Sequence, residues 1–132
     1  MKKNIGLMIV MAVAVIVLAA CSGGGSSSGN SISTTATDFH FEPSSWTVKA
    51  GEEVTLSITN NGAVEHDWVL LGSMITPPAD GEKDVIFETE VAPGQTETVT
   101  FTAPATPGEY QVICEIAGHL EAGMEGKLVV TE

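Results

Sequence analysis

The sequence contains no arginine, and its five basic residues are all lysine. Against them stand 17 aspartates and glutamates, for a formal charge of −12. Nucleic acid is held by neutralising phosphates with clustered cations, so a nucleic-acid partner is excluded. A cationic protein partner suits such a field, which speeds encounter and weakens with salt; the same acids also serve simply to keep a chain soluble. Internal repeats are lacking, as is any stretch with apolar residues at helical spacing. Cysteine is nearly absent: only Cys21 and Cys114 occur. Histidine is scarce too, at three positions, His40, His66 and His119.

What is present begins with a distinct amino-terminal pattern. Lys2 and Lys3 precede an apolar run from Ile5 to Ala20. That is the layout of a secretory signal peptide, and it is short for a membrane span with room to tilt. The run ends in Leu18-Ala19-Ala20-Cys21, which resembles the lipobox of bacterial lipoproteins. The resemblance implies cleavage before Cys21 and a lipid on that cysteine. An uncleaved anchor helix is the alternative, and either one exports the protein and tethers it to a membrane. The following "SGGGSSSGNS" reads as a flexible leash. The expected division is a signal peptide over 1–20, a lipidated cysteine and linker over 21–33, and a folded domain over 34–132. With Cys21 lipidated, Cys114 has no disulfide partner. A lone thiol outside the cytoplasm invites oxidation unless it is buried or occupied.

The domain reads as all-β, with about seven or eight strands in a two-sheet sandwich or a barrel. Val54, Leu56 and Ile58 alternate with Thr55, Ser57 and Thr59, a half-buried strand between turns at Ala50-Gly51 and Asn60-Asn61-Gly62. "HDWVLL", from His66 to Leu71, is apolar on both faces and should be a central strand. Tyr110, Val112 and Cys114 share one face of another, which places Cys114 toward the core at a strand end. Trp46 and Trp68 read as core residues. His40, between Phe39 and Phe41, reads as a surface histidine if both phenylalanines face inward. Met74 and Ile75 either line a functional rim or cover the sandwich.

One stretch carries chemistry: "CEIAGHLEAGM", with Cys114, His119 and Met124 five residues apart and then five again. On a helix, consecutive members would point roughly 140° apart. On a strand they would alternate faces. Only a loop gathers all three, and Gly118, Gly123 and Gly126 supply the bends. Thiolate, imidazole and thioether form a soft donor set suited to copper. A trigonal His₂Cys site with a long axial methionine needs one more histidine. His66, at the start of a buried strand, is better placed for this than His40.

From about Phe41 to Glu132 the domain resembles the blue copper proteins, or cupredoxins. The resemblance rests on "FEPSSWTVKAGEEVTL", "TNNGAVEHDWVL", "TPGEYQVIC" and the Cys-x₄-His-x₄-Met spacing. That spacing is most similar to the auracyanins, electron carriers of some photosynthetic bacteria. The resemblance implies a Greek-key β-sandwich holding one type 1 copper ion. It implies His66, Cys114 and His119 as equatorial ligands and Met124 as the axial one. One departure stands out. Many cupredoxins place asparagine after the first histidine, where it ties the ligand loops together and donates toward the cysteine sulfur. Here Asp67 stands there, and an ionised carboxylate cannot donate.

The expected function is electron transfer by Cu(II)/Cu(I) cycling, not catalysis. The expected partners are cationic redox proteins, such as a cytochrome or a membrane complex. His119 should pass the electron through a surface patch of Ile116, Ala117, Leu120, Ala63 and Val64. Two rival readings exist. One is an enzyme with Cys114 as nucleophile, although no oxyanion hole is evident. The other is a copper storage or delivery module. Three histidines are too few for a multicopper oxidase.

Overall fold

A computed structural model describes residues 30–78 and 81–132. The expected signal peptide, the Cys21 lipidation site and most of the linker lie outside the described residues. Among the described residues no helix is long and apolar enough to cross a membrane.

Among the described residues, nine strands form two sheets. In chain order they are β1 (Asn30–Thr37), β2 (His40–Glu42), β3 (Ser45–Lys49), β4 (Glu53–Asn60), β5 (His66–Leu71), β6 (Val85–Val91), β7 (Thr96–Thr102), β8 (Gly108–Ile113) and β9 (Glu125–Thr131). One sheet has the order β2-β1-β4-β7 and the other β3-β9-β8-β5-β6. The pairs β1/β4 and β3/β9 are parallel, and the rest are antiparallel.

The count exceeds the expected seven or eight because "TATDFHF" is two strands. The chain turns back at Asp38-Phe39, and Thr37 pairs with His40. Phe41 is then buried while Phe39 is 45 % exposed. His40 is exposed, as expected, although only one of its phenylalanine neighbours faces inward. Strand β1 also starts at Asn30, inside the stretch read as linker. Alternation reaches back to Ile32, which packs against the core, and Asn30 pairs with Val54.

Elsewhere the period-2 pattern sets the layers. Val54, Leu56 and Ile58 of β4 share the main core with Trp68, Leu70, Leu128 and Val130 of the other sheet and with Phe101 of the neighbouring β7. Full burial of each such side chain contributes about 1.5–3 kcal/mol. Trp46 and Trp68 meet edge to face at 5.6 Å within it. Strand β5, between β8 and β6, is buried on both faces. Trp68 and Leu70 point into the sandwich, while Val69 and Leu71 point outward into a second cluster with Ile113, Leu120 and Ile75. Ile75 thus covers the outer face of the sheet, and Met74 beside it is exposed.

Candidate metal centre

The site forms at one end of the sandwich, where three connections meet. The β4–β5 loop delivers His66. Its anchor is Asn60, a wholly buried side chain whose Nδ2 donates to the carbonyls of Val64 and Val91, both at 2.8 Å. Asn60 Oδ1 accepts from the Gly62 N–H at 2.8 Å, so the polar group is satisfied while it shapes the loop.

Cys114 follows β8 and points into the main core. The next ten residues wind through hydrogen-bonded turns: His119 N–H to Ile116 O, Ala122 N–H to Gly118 O, and Met124 N–H to His119 O, all at 2.9–3.0 Å. Gly118 and Gly123 hold φ of +84° and +96°, where a side chain is strained. The Cys114 N–H donates to the Met124 carbonyl at 3.2 Å and closes the loop. Five-and-five spacing is therefore satisfied by a wound loop whose ends are pinned together.

The side chains converge. Cys114 Sγ lies 3.3 Å from His119 Nδ1 and 3.9 Å from His66 Nδ1, and the two Nδ1 atoms are 3.3 Å apart. His66, Cys114 and His119 are all buried, with donor atoms within 4.8 Å of one another. Met124 is wholly buried in the same core cluster as Cys114. The fold thus brings residues from two distant segments to one buried point.

The electrostatics favour a cation at this point. Burial pushes the Cys114 thiol up from its ordinary value. Yet the backbone N–H groups of Asp67, at 3.4 Å, and Ile116 are both aimed at its sulfur. Such donors chiefly stabilise a thiolate, and a thiolate in this buried place needs a positive ion. Burial, and next the neighbouring His66, lower His119, which keeps that imidazole neutral and able to ligate. A buried, protonated thiol is a poor nucleophile, which counts against the enzyme reading. The donor set and its surroundings fit copper in a type 1 arrangement.

Asp67 behaves differently from the expectation. The donor to sulfur at this position is its backbone N–H, which does not depend on the side chain. Its carboxylate accepts from the Glu115 N–H, so it still ties the two ligand segments together. Oδ1 is buried without a hydrogen-bond partner. Burial, then Glu90, Glu65 and Glu115, raise its pKa.

Sequence reasoning missed Asp38 and Phe39. Asp38 Oδ1 lies 3.0 Å from His66 Nε2, and the Phe39 ring meets His119 edge-on at 4.9 Å. The proposed surface patch also needs correction. Ala63, Val64 and Ala117 are exposed near the site and Ile116 is partly so, but Leu120 is buried. The loop's turns swing Leu120 under the sheet onto Val69 and Leu71.

Residues 8–130 match the cupredoxin-like domain family. The chain belongs to the cupredoxin-like family. It is 37 % identical to Auracyanin-A of Chloroflexus aurantiacus, over 75 % of this chain and 72 % of that protein. It is 40 % identical to the chloroplastic plastocyanin of Hordeum vulgare, over 68 % of this chain and 54 % of that protein. Among solved structures, the dithionite-reduced auracyanin of Roseiflexus castenholzii superposes with a TM-score of 0.67 at 25 % identity, covering 78 % of this chain and 98 % of that one. The nine-stranded sandwich is thus a cupredoxin fold, with its candidate centre at the loop-bearing end.

Proposed function

We propose that this cupredoxin is a type 1 copper protein, exported and tethered to a membrane, that carries single electrons between protein partners. The observation that carries the proposal is the buried convergence of His66, Cys114 and His119, with Met124 pinned beside them. His66 Nδ1, Cys114 Sγ and His119 Nδ1 would be the equatorial ligands and Met124 the axial one. Copper bound there supplies a one-electron Cu(II)/Cu(I) couple. The chain's part is to hold the ligands still. Asn60, the two backbone donors to Cys114 and the pinned loop resist the movement that a change of charge would otherwise drive. Little rearrangement on reduction means fast exchange. Like its family, the protein is an electron carrier and not an enzyme.

His119 is the ligand nearest solvent on the loop side, 5 % exposed beneath Phe39. Exposed Phe39, Ala63, Val64 and Ala117 give it a small apolar rim for brief docking. An acidic depression lined by Asp67, Glu88, Glu90 and Glu115 lies on the β5–β6 side, which supports a cationic partner such as a cytochrome. The proposed lipid on Cys21 and the serine-glycine leash would keep this carrier at the membrane surface.

Absorption and EPR spectra of the copper-loaded full chain test the reading. The expected result is an intense sulfur-to-copper band with a type 1 EPR signal and rapid reversible reduction. Copper that binds without that band, or that exchanges electrons only slowly, would point instead to storage or delivery.

A further inference from the structure

The two ring nitrogens of His66 face different surroundings. Nδ1 looks toward Cys114 and His119, whereas Nε2 lies 3.0 Å from Asp38 Oδ1. A carboxylate oxygen accepts and does not donate, so the proton sits on Nε2 and the Nδ1 lone pair is left for a metal. Asp38 is itself held. The Ala63 N–H donates to both of its oxygens at 3.2 Å, and Ala63 belongs to the loop that delivers His66. Its backbone stands in the tight β1–β2 turn, where the Ala36–Phe41 and Thr37–His40 pairs fix its position. The packing is close: a Cβ on Gly62 would collide with both Asp38 Oδ1 and His66 Nε2. His66 is wholly buried, while the Asp38 side chain is 35 % exposed. The carboxylate therefore links a buried imidazole to the surface.

We propose that Asp38 is a positioning residue for the copper site, fixing His66 in the Nε2–H tautomer and, through its negative charge, favouring Cu(II) over Cu(I). The proposal rests on the copper reading above. Carboxylate partners of ligating histidines fix ring orientation and raise ligand basicity, and their loss costs about 10–100-fold in metal affinity. The two effects are separable. Asp38→Asn keeps an acceptor for Nε2–H but removes the charge. Asp38→Leu removes both, and Asp38→Glu restores the charge.

The experiment compares these variants with the wild-type full chain by two readouts. One is the ¹⁵N imidazole spectrum of copper-free protein at pH 8, which reports the His66 tautomer without any metal. The other is the reduction potential of copper-loaded protein. Asp38→Asn should keep the tautomer and shift the Cu(II)/Cu(I) affinity ratio about tenfold toward Cu(I), an upward move of about 59 mV. Asp38→Leu should raise the potential too, mix the tautomers and speed copper release. Asp38→Glu should recover most of the wild-type potential. A loss of melting temperature with potential and tautomer unmoved would overturn the proposal and reduce Asp38 to a structural tie. A wild-type protein without a type 1 spectrum would overturn the copper reading and this proposal with it, even if the tautomer shift were seen.

Discussion

The two segments that meet at the copper centre are fixed in opposite ways. His66 is held by side chains, from the start of its own loop and from beyond it. Asn60 reaches across to Val64 and Val91, and Asp38 arrives from the β1–β2 turn. The 114–124 loop is held from within, by its own sequence of backbone turns and the Cys114–Met124 closure. One wall depends on side chains, near and distant, and the other chiefly on local backbone conformation. A substitution should therefore damage one wall at a time, in a manner set by which kind of support it removes.

The largest effect tests what both walls serve. Cys114→Ser replaces the soft sulfur by a weak oxygen donor, and the intense visible band should vanish entirely, as read by absorption after copper loading. Next comes the side-chain wall. Asn60→Ala leaves the Val64 and Val91 carbonyls and the Gly62 N–H without their partner, the Val91 carbonyl in a buried place, and should cost about 1–3 kcal/mol in a urea melt. Backbone amide exchange should rise over 61–66 while the 114–124 loop stays protected. Equal loosening of both would break the comparison.

The third effect is pH-dependent, and its sign follows from Cys114. Burial holds that pKa above its ordinary value of 9.0, so the copper-free protein keeps the thiol proton through neutral pH. Copper must displace it. Apparent affinity should rise about tenfold per pH unit between pH 7 and 8, with about one proton released per copper by calorimetry in two buffers. His119 adds nothing to that slope, because burial lowers its pKa and it is already neutral there. The same Cys114 shift gives the copper-free fold stability that is present below the unfolded thiol pKa and lost as pH rises through the folded one. The smallest effect tests the backbone wall. Gly123→Ala forces a Cβ into φ +96° and should cost about 1–2 kcal/mol. Chemical-shift changes should be confined to the 114–124 loop, with the His66 side unmoved.

This division also explains what the sequence could show. The backbone-held loop was legible, because its constraint is local: two glycines at fixed offsets and a spacing that no regular element satisfies. Strand β4 and the two-faced burial of β5 were legible for the same reason, since alternation is a near-neighbour pattern. Asp38 was not. It stands 28 residues before His66, and only the parallel pairing of β1 with β4 brings the two together. Nothing in "TATDF" marks a partner for a histidine. Phe39 and Leu120 were misplaced because each lies in a turn, where a residue's direction is set by hydrogen bonds and not by period. At Asp67 the identity of the side chain drew attention, while the donor to sulfur was a backbone group that any residue but proline provides.

Strand β1 has a directional consequence. It begins beside Val54 and ends beside Asn60, at the pole where the copper ligands gather. Eight strand residues span about 23 Å between their end Cα atoms. Whatever precedes Asn30 therefore joins the body at the pole opposite the redox end. The lipid tether proposed above, if fastened there, would act like the string of a kite: it would limit distance from the bilayer and leave the tip bearing the metal centre to swing and meet its partner.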